Sequence, residues 1–122
     1  DWVDSEGNTI LNSRLTYPAE PPRSYAYCSD TCYIPNLCEH LKNVSLLYHE
    51  STYITADADR AEMYFHSTAA QAAQVAKDAN VKRLLLGHYS SKYDNEQQLL
   101  SEATCVFADS MLSEEGMVID VK

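Results

Sequence analysis

The feature that most constrains this fold is an alanine-rich helical segment, Ala69–Ala79, set between two short apolar runs, Val44–Tyr48 and Arg83–Gly87. Alanine is the best helix former. The face made by Ala69, Ala72, Ala73, Ala76 and Ala79 carries only methyl groups. Such a face lets a helix approach a sheet closely. Ser67 and Thr68 precede it as candidate N-caps, and Asn80 follows as a stop. A small-residue helix flanked by strand-length runs implies a layered α/β domain.

The rest of the chain extends that pattern. Residues 1–23 read as an extended lead-in, with a hairpin around Glu6-Gly7-Asn8 and the prolines Pro18, Pro21 and Pro22. Ser24–Cys28 alternates like a strand. Pro35 opens a short helix over Asn36–Leu41. A helix over Ala56–Tyr64 follows a Thr55 cap. Asp94 or Asn95 caps another helix running to about Ala103, and Gly116 turns into a last strand, Met117–Val121. The predicted order is β-α-β-α-α-β-α-β, in one domain over residues 1–122.

Composition narrows the function classes. The 122 residues are 45% hydrophobic, enough for a core, and carry 18 acidic against 9 basic residues. That balance gives no support to a general nucleic-acid binder with a basic face. No apolar run approaches the roughly 20 residues of a membrane span. The first residue is Asp1, so a processed, trimmed or partial chain is expected. Cys28, Cys32, Cys38 and Cys105 have no zinc-module spacing and read as free thiols of a cytosolic domain.

Three polar residues stand where predicted strands end or a helix begins: Asp30 after Ser24–Cys28, His66 before Ala69–Ala79, and His88 after Arg83–Gly87. Ligands bind in the crevice at the carboxyl ends of strands in open α/β sheets. One carboxylate and two imidazoles suit zinc or another divalent first-row metal. Asp30 as a turn residue, and the histidines as capping or core residues, are the structural alternatives. His66 stands at a helix start, a position suited to a group that handles phosphate. His49-Glu50-Ser51-Thr52 gathers an imidazole, a carboxylate and two hydroxyls, a set able to relay a proton, or simply a polar turn. Lys92 offers a point charge to a phosphate, or is a solvated lysine. His40 reads as a surface residue.

Four stretches carry a resemblance: Tyr27-Cys28-Ser29-Asp30-Thr31, His49-Glu50-Ser51-Thr52, His66-Ser67-Thr68-Ala69 and His88-Tyr89-Ser90-Ser91-Lys92-Tyr93. In this order, with 36 residues from Asp30 to His66 and 22 from His66 to His88, they resemble the ribonuclease Z family, the tRNA 3′-processing endonucleases of the metallo-β-lactamase superfamily. The resemblance spans about Asp1 to Val121. It implies the C-terminal half of an αββα sandwich, with a mixed sheet and helices packed on one face.

For function, it implies zinc-dependent removal of 3′ trailers from precursor tRNA by two-metal phosphodiester hydrolysis. Asp30 and His88 are then metal ligands, and Glu50, His66 and His49 serve proton transfer. Thr31, Ser90 and Lys92 are phosphate or substrate contacts. Two zinc ions belong to the whole site, of which this chain holds an incomplete part. The missing N-terminal half, self-association and a homodimer are the expected protein partners, and the location is cytoplasmic. The family has alanine at the Ser51 position and arginine at the Lys92 position. Its His-x-His-x-Asp-His motif and tRNA-gripping arm are absent, so the chain alone is expected to be inactive. Two other readings fit the same residues: another hydrolase of the superfamily acting on a small phosphodiester or ester, and a non-catalytic α/β binding domain.

Overall fold

A computed structural model describes residues 1–122. The lead-in forms a two-stranded antiparallel hairpin, β1 (Trp2–Val3) and β2 (Thr9–Ile10), then a single helical turn, α1 (Asn12–Leu15). Gly7 at φ 85° makes the tight turn that the sequence suggests. Asp4 closes it, its carboxylate accepting the Glu6 and Asn8 N–H groups at 2.9 Å each.

The main sheet holds four strands in chain order: β3 (Tyr25–Cys28), β4 (Leu46–Glu50), β5 (Arg83–Gly87) and β6 (Ser110–Leu112). All three pairings are parallel. The antiparallel pairing of the mixed arrangement is therefore confined to the separate β1–β2 hairpin. Every parallel step needs a crossover on the sheet face. A 3₁₀ segment (Pro35–His40) links β3 to β4, the helices α2 (Ala58–Met63) and α3 (Ala69–Ala79) link β4 to β5, and α4 (Gln97–Val106) links β5 to β6.

The alanine helix forms with the predicted bounds. Thr68 and Gln71 make a reciprocal cap: the Thr68 hydroxyl accepts the Gln71 N–H at 3.1 Å and the Gln71 side chain accepts the Thr68 N–H at 2.9 Å. Asn80 ends the helix in the left-handed conformation, φ 54°. All five methyl-bearing positions are buried, packed on β4, β5 and α4. Strand alternation puts Ala26, Leu47, Leu84 and Leu112 on this helix-covered face, where they join one core cluster with Leu86 and Leu99.

The opposite face carries no helix. Across it, Tyr27, Tyr48, Leu85 and Met111 stand in one row. Tyr27 and Tyr48 stack with ring centroids 4.6 Å apart, and Tyr27 is 64% exposed.

The last strand differs from the expectation. Met117–Val121 forms no strand; the edge beside β5 is taken by Ser110–Leu112. The backbone groups of β5 on that side can pair only once, and the segment emerging from α4 reaches them first. Gly116 does turn the chain, at φ 80°. The tail after it is held by Arg83, whose guanidinium donates to the Asp120 carbonyl. The four cysteines are free thiols, and no helix is long and apolar enough to cross a membrane.

Candidate metal and phosphate site

Parallel strands deliver their carboxyl ends to one rim, and three of the four expected segments arrive there directly. Asp30 lies two residues beyond β3, Glu50 is the last residue of β4, and His88 follows β5. His66 reaches the same rim from the turn between α2 and α3, a turn held by a parallel bridge between Tyr53 and Thr68. One ligand atom each from Asp30, His66 and His88 lies within 4.8 Å of the others. The two imidazole rings are 5.2 Å apart at 30°.

Glu50 is the hub. It is fully buried, and both oxygens are taken as acceptors. Oε1 receives the Thr31 N–H at 3.0 Å and His66 Nδ1 at 2.6 Å. Oε2 receives the Thr52 N–H at 3.2 Å, the Thr52 hydroxyl at 2.7 Å and the Ser67 N–H at 3.1 Å. A buried carboxylate is tolerated only with such a full set of donors.

This network sets the tautomers of both site histidines. His66 gives its Nδ1 proton to Glu50, which leaves Nε2 facing the rim. The single hydroxyl hydrogen of Thr52 goes to Glu50, so the same oxygen must accept at His88 Nδ1, 3.0 Å away. His88 Nε2 is thereby left as a lone pair, 3.1 Å from Asp30 Oδ1. Adjacent ligands on one tetrahedral zinc ion, with bonds of about 2.0–2.2 Å, stand about 3.3–3.6 Å apart, a few tenths of an ångström beyond this separation. A proton or a cation between the two atoms satisfies both. The residues present therefore fit a metal ion, with partners oriented behind the ligands as metal sites require.

Backbone strain marks the same rim. Five non-glycine residues have positive φ. Asn43 and Asn80 are ordinary turn asparagines, bonded to one another through their side chains at 2.9 Å. The other three, Asp30 (51°), Phe65 (61°) and His88 (59°), all lie at the candidate site. Left-handed conformations at non-glycine residues cluster where geometry serves function.

Four of the remaining sequence-derived residues have other engagements. His49 does not reach the rim. Alternation along β4 turns its ring to the helix-covered face, away from Glu50; it is fully buried, Nδ1 donates to the Glu50 carbonyl at 2.8 Å, and Nε2 has no partner. Burial holds its pKa below the usual histidine value, with partial opposition from that carbonyl. It cannot transfer a proton to anything on the rim. The Thr31 hydroxyl donates to the Cys32 carbonyl at 2.9 Å, and its carbonyl accepts from Ser67 Oγ at 2.6 Å. Ser90 Oγ accepts the Lys92 N–H at 3.3 Å within its own turn. Lys92 Nζ pairs with Asp57 Oδ2 at 2.9 Å.

That Asp57 oxygen also receives the Tyr93 hydroxyl at 2.6 Å. The Tyr93 hydroxyl first, and Lys92 second, hold the Asp57 carboxyl below its ordinary range. Burial first, and the bond to Asp57 second, push the Tyr93 phenol up to about 12. Sequence reasoning named Thr52 within a proton-relay set and Ser67 as a cap but missed their bonds to Glu50, and it missed Asp57 altogether. Thr52 stood in the His-Glu-Ser-Thr cluster; nothing along the chain pointed to Asp57, which lies 35 residues from Lys92.

No protein-family profile matches the chain. Curated proteins named Ribonuclease Z do. The chain is 46% identical over 121 residues to that of Bacteroides fragilis, 50% to that of Parabacteroides distasonis and 47% to that of Porphyromonas gingivalis. Each match covers 99% of this chain and 40% of the relative. Among solved structures, the metallo-β-lactamase fold protein YhfI from Bacillus subtilis aligns with TM-score 0.69 and 24% identity over 75% of this chain and 37% of that one. The short form of human tRNase Z aligns with TM-score 0.57 and 30% identity, over 78% of this chain and 31% of that one. The chain thus has part of a metallo-β-lactamase fold, and over nearly its whole length it is similar to ribonuclease Z, spanning about 40% of the length of those relatives.

Proposed function

We propose that the protein carrying this chain is a zinc-dependent endoribonuclease that removes 3′ trailers from precursor tRNA by phosphodiester hydrolysis. The observation that carries this reading is the Glu50 hub: one buried carboxylate holds His66 directly and His88 through Thr52, and one ligand atom from each histidine lies within 4.8 Å of an Asp30 carboxylate oxygen. The similarity to ribonuclease Z supports the substrate.

Asp30 and His88 would hold metal, in a site for two zinc ions that takes its other ligands from outside residues 1–122. Zinc, when bound, supplies Lewis acidity at the phosphoryl group and lowers the pKa of water. His66 would hold a proton at Nε2 for the leaving oxygen, with Glu50 stabilising the charged imidazole. His49 is a positioning residue behind Glu50. Thr31, Ser90 and Lys92 are the phosphate-side contacts; the half-exposed ammonium of Lys92 can exchange Asp57 for a phosphate oxygen. Residues 1–122 then form one partial domain, inactive alone, of a cytoplasmic protein that associates as a homodimer.

The test uses the full-length protein. His88→Ala is expected to lose both bound metal and single-turnover cleavage of precursor tRNA. His66→Ala is expected to keep most of its metal while cleavage falls about 10²–10⁴-fold, the usual worth of general acid–base catalysis. Loss of metal in both variants would make His66 a ligand and remove its proton-transfer role.

A further inference from the structure

The strained residue beside His66 is an aromatic one. Met63, Tyr64 and Phe65 end α2 as three consecutive exposed apolar residues, and Phe65 is 71% exposed. The chain reverses there, with the His66 N–H donating to the Ala61 carbonyl at 2.8 Å. Phe65 takes φ 61° to make that turn, a conformation that glycine or asparagine adopts at much lower cost. Folding needs the turn but gains little from a phenyl ring left in solvent. The ring's own position is what calls for an explanation.

Phe65 and His66 line one cavity of about 400 Å³ together with Tyr33, Asp59, Glu62 and Gln71. That volume is within the range of small-ligand clefts. Its lining has two aromatic rings, two carboxylates and an amide, and neither lysine nor arginine. Such a lining repels phosphate. It suits a flat ring that stacks on an aromatic face and offers amino N–H groups to a carboxylate.

We propose that Phe65 and this cavity hold one nucleobase bearing an exocyclic amino group, from a single-stranded nucleotide adjoining the scissile phosphate of an RNA substrate. The proposal rests on the nuclease reading above and adds to it a base subsite that is lined by His66 but by neither Asp30 nor His88. Phe65 supplies the stacking face. Asp59 and Glu62 accept from the amino group and disfavour uracil.

The test uses the full-length protein and precursor tRNA in which each nucleotide flanking the cleavage site is made abasic in turn. Phe65→Ala is expected to raise KM about 10-fold to 100-fold on the normal substrate, the range for loss of one stacked base, with bound metal unchanged. On the substrate abasic at the stacked position, Phe65→Ala and the parent are expected to match. Phe65→Trp should restore KM. Phe65→Gly should fold at least as stably as the parent and still lose KM, which separates binding from folding. Unchanged KM in Phe65→Ala and Phe65→Gly, with the parent cleaving normally, overturns the base subsite and leaves the nuclease reading intact. Should the parent not cleave precursor tRNA, the nuclease reading fails. A single-stranded RNA carrying 2-aminopurine then decides the subsite alone: quenching in the parent that Phe65→Ala abolishes supports it, and equal fluorescence in both overturns it.

Discussion

His49 shows how one buried side chain couples the stability of the fold to pH. Its Nε2 lacks any partner within the core, and burial keeps the imidazole neutral, with its pKa below the ordinary 6.5. The unfolded chain takes up that proton at its ordinary value, so below about pH 6.5 it binds more protons than the folded chain. The contribution is therefore complete above pH 6.5 and is lost as pH falls, at up to about 1.4 kcal/mol per pH unit for one proton. In the full-length protein, the stability advantage of the parent over His49→Gln should shrink between about pH 7.5 and about pH 5.5. Denaturant midpoints whose difference stays constant across that window would show that His49 does not titrate on unfolding.

At the scale of elements, the fit between β4 and β5 depends on a glycine. Gly87 pairs with Glu50 and sits under the Tyr48 ring; a Cβ there would lie 2.2 Å from the Tyr48 hydroxyl oxygen and 2.5 Å from a ring carbon. Gly87→Ala must push the ring aside, break its stack on Tyr27 and shift the left-handed His88 that follows. We expect a loss of about 1–3 kcal/mol, typical of overpacking. Adding Tyr48→Ala should make the double variant less destabilised than the sum of the singles, which denaturation of the four proteins measures directly. Strictly additive losses would mean that the ring yields without cost. Downstream, Tyr89 ties the same strand to β6: its hydroxyl accepts the Ser113 N–H at 2.8 Å and donates to the Leu86 carbonyl at 2.9 Å. Such cross-strand pins keep the carboxyl ends in register, and with them the site.

For the molecule as a whole, the helix-free face of the sheet governs behaviour in solution. Half of an αββα sandwich leaves this face to be covered by the other sheet, and here it presents Tyr25, Tyr27 and Tyr48. Contiguous exposed apolar surface marks interaction sites. The isolated chain should therefore associate through it, giving light-scattering masses above the 13.7 kDa monomer. Tyr27→Asp should reduce that association. A strict monomer at high concentration, or association unaltered by Tyr27→Asp, would count against this role of the face.

What could be read along the chain is what local chemistry decides. The alanine helix, its Thr68 cap and Asn80 stop, the bounds of Arg83–Gly87, and the placing of Asp30, His66 and His88 at element ends all follow from propensity, periodicity and capping over a few residues. The motif stretches carried the family resemblance for the same reason, since each is a contiguous run. The tertiary structure alone decided the rest. Which segment pairs with the free edge of β5 depends on which one reaches it first, so Ser110–Leu112 displaced the predicted Met117–Val121. Whether His49 or Glu50 faces the rim depends on the side of β4 that the helices cover. The Glu50 hub joins residues 16 to 19 positions away, and Lys92 found Asp57 across 35. Propensity has no information about such distant pairings. They are set when the sheet and helices pack, because only then do buried donors and acceptors compete for the partners within reach.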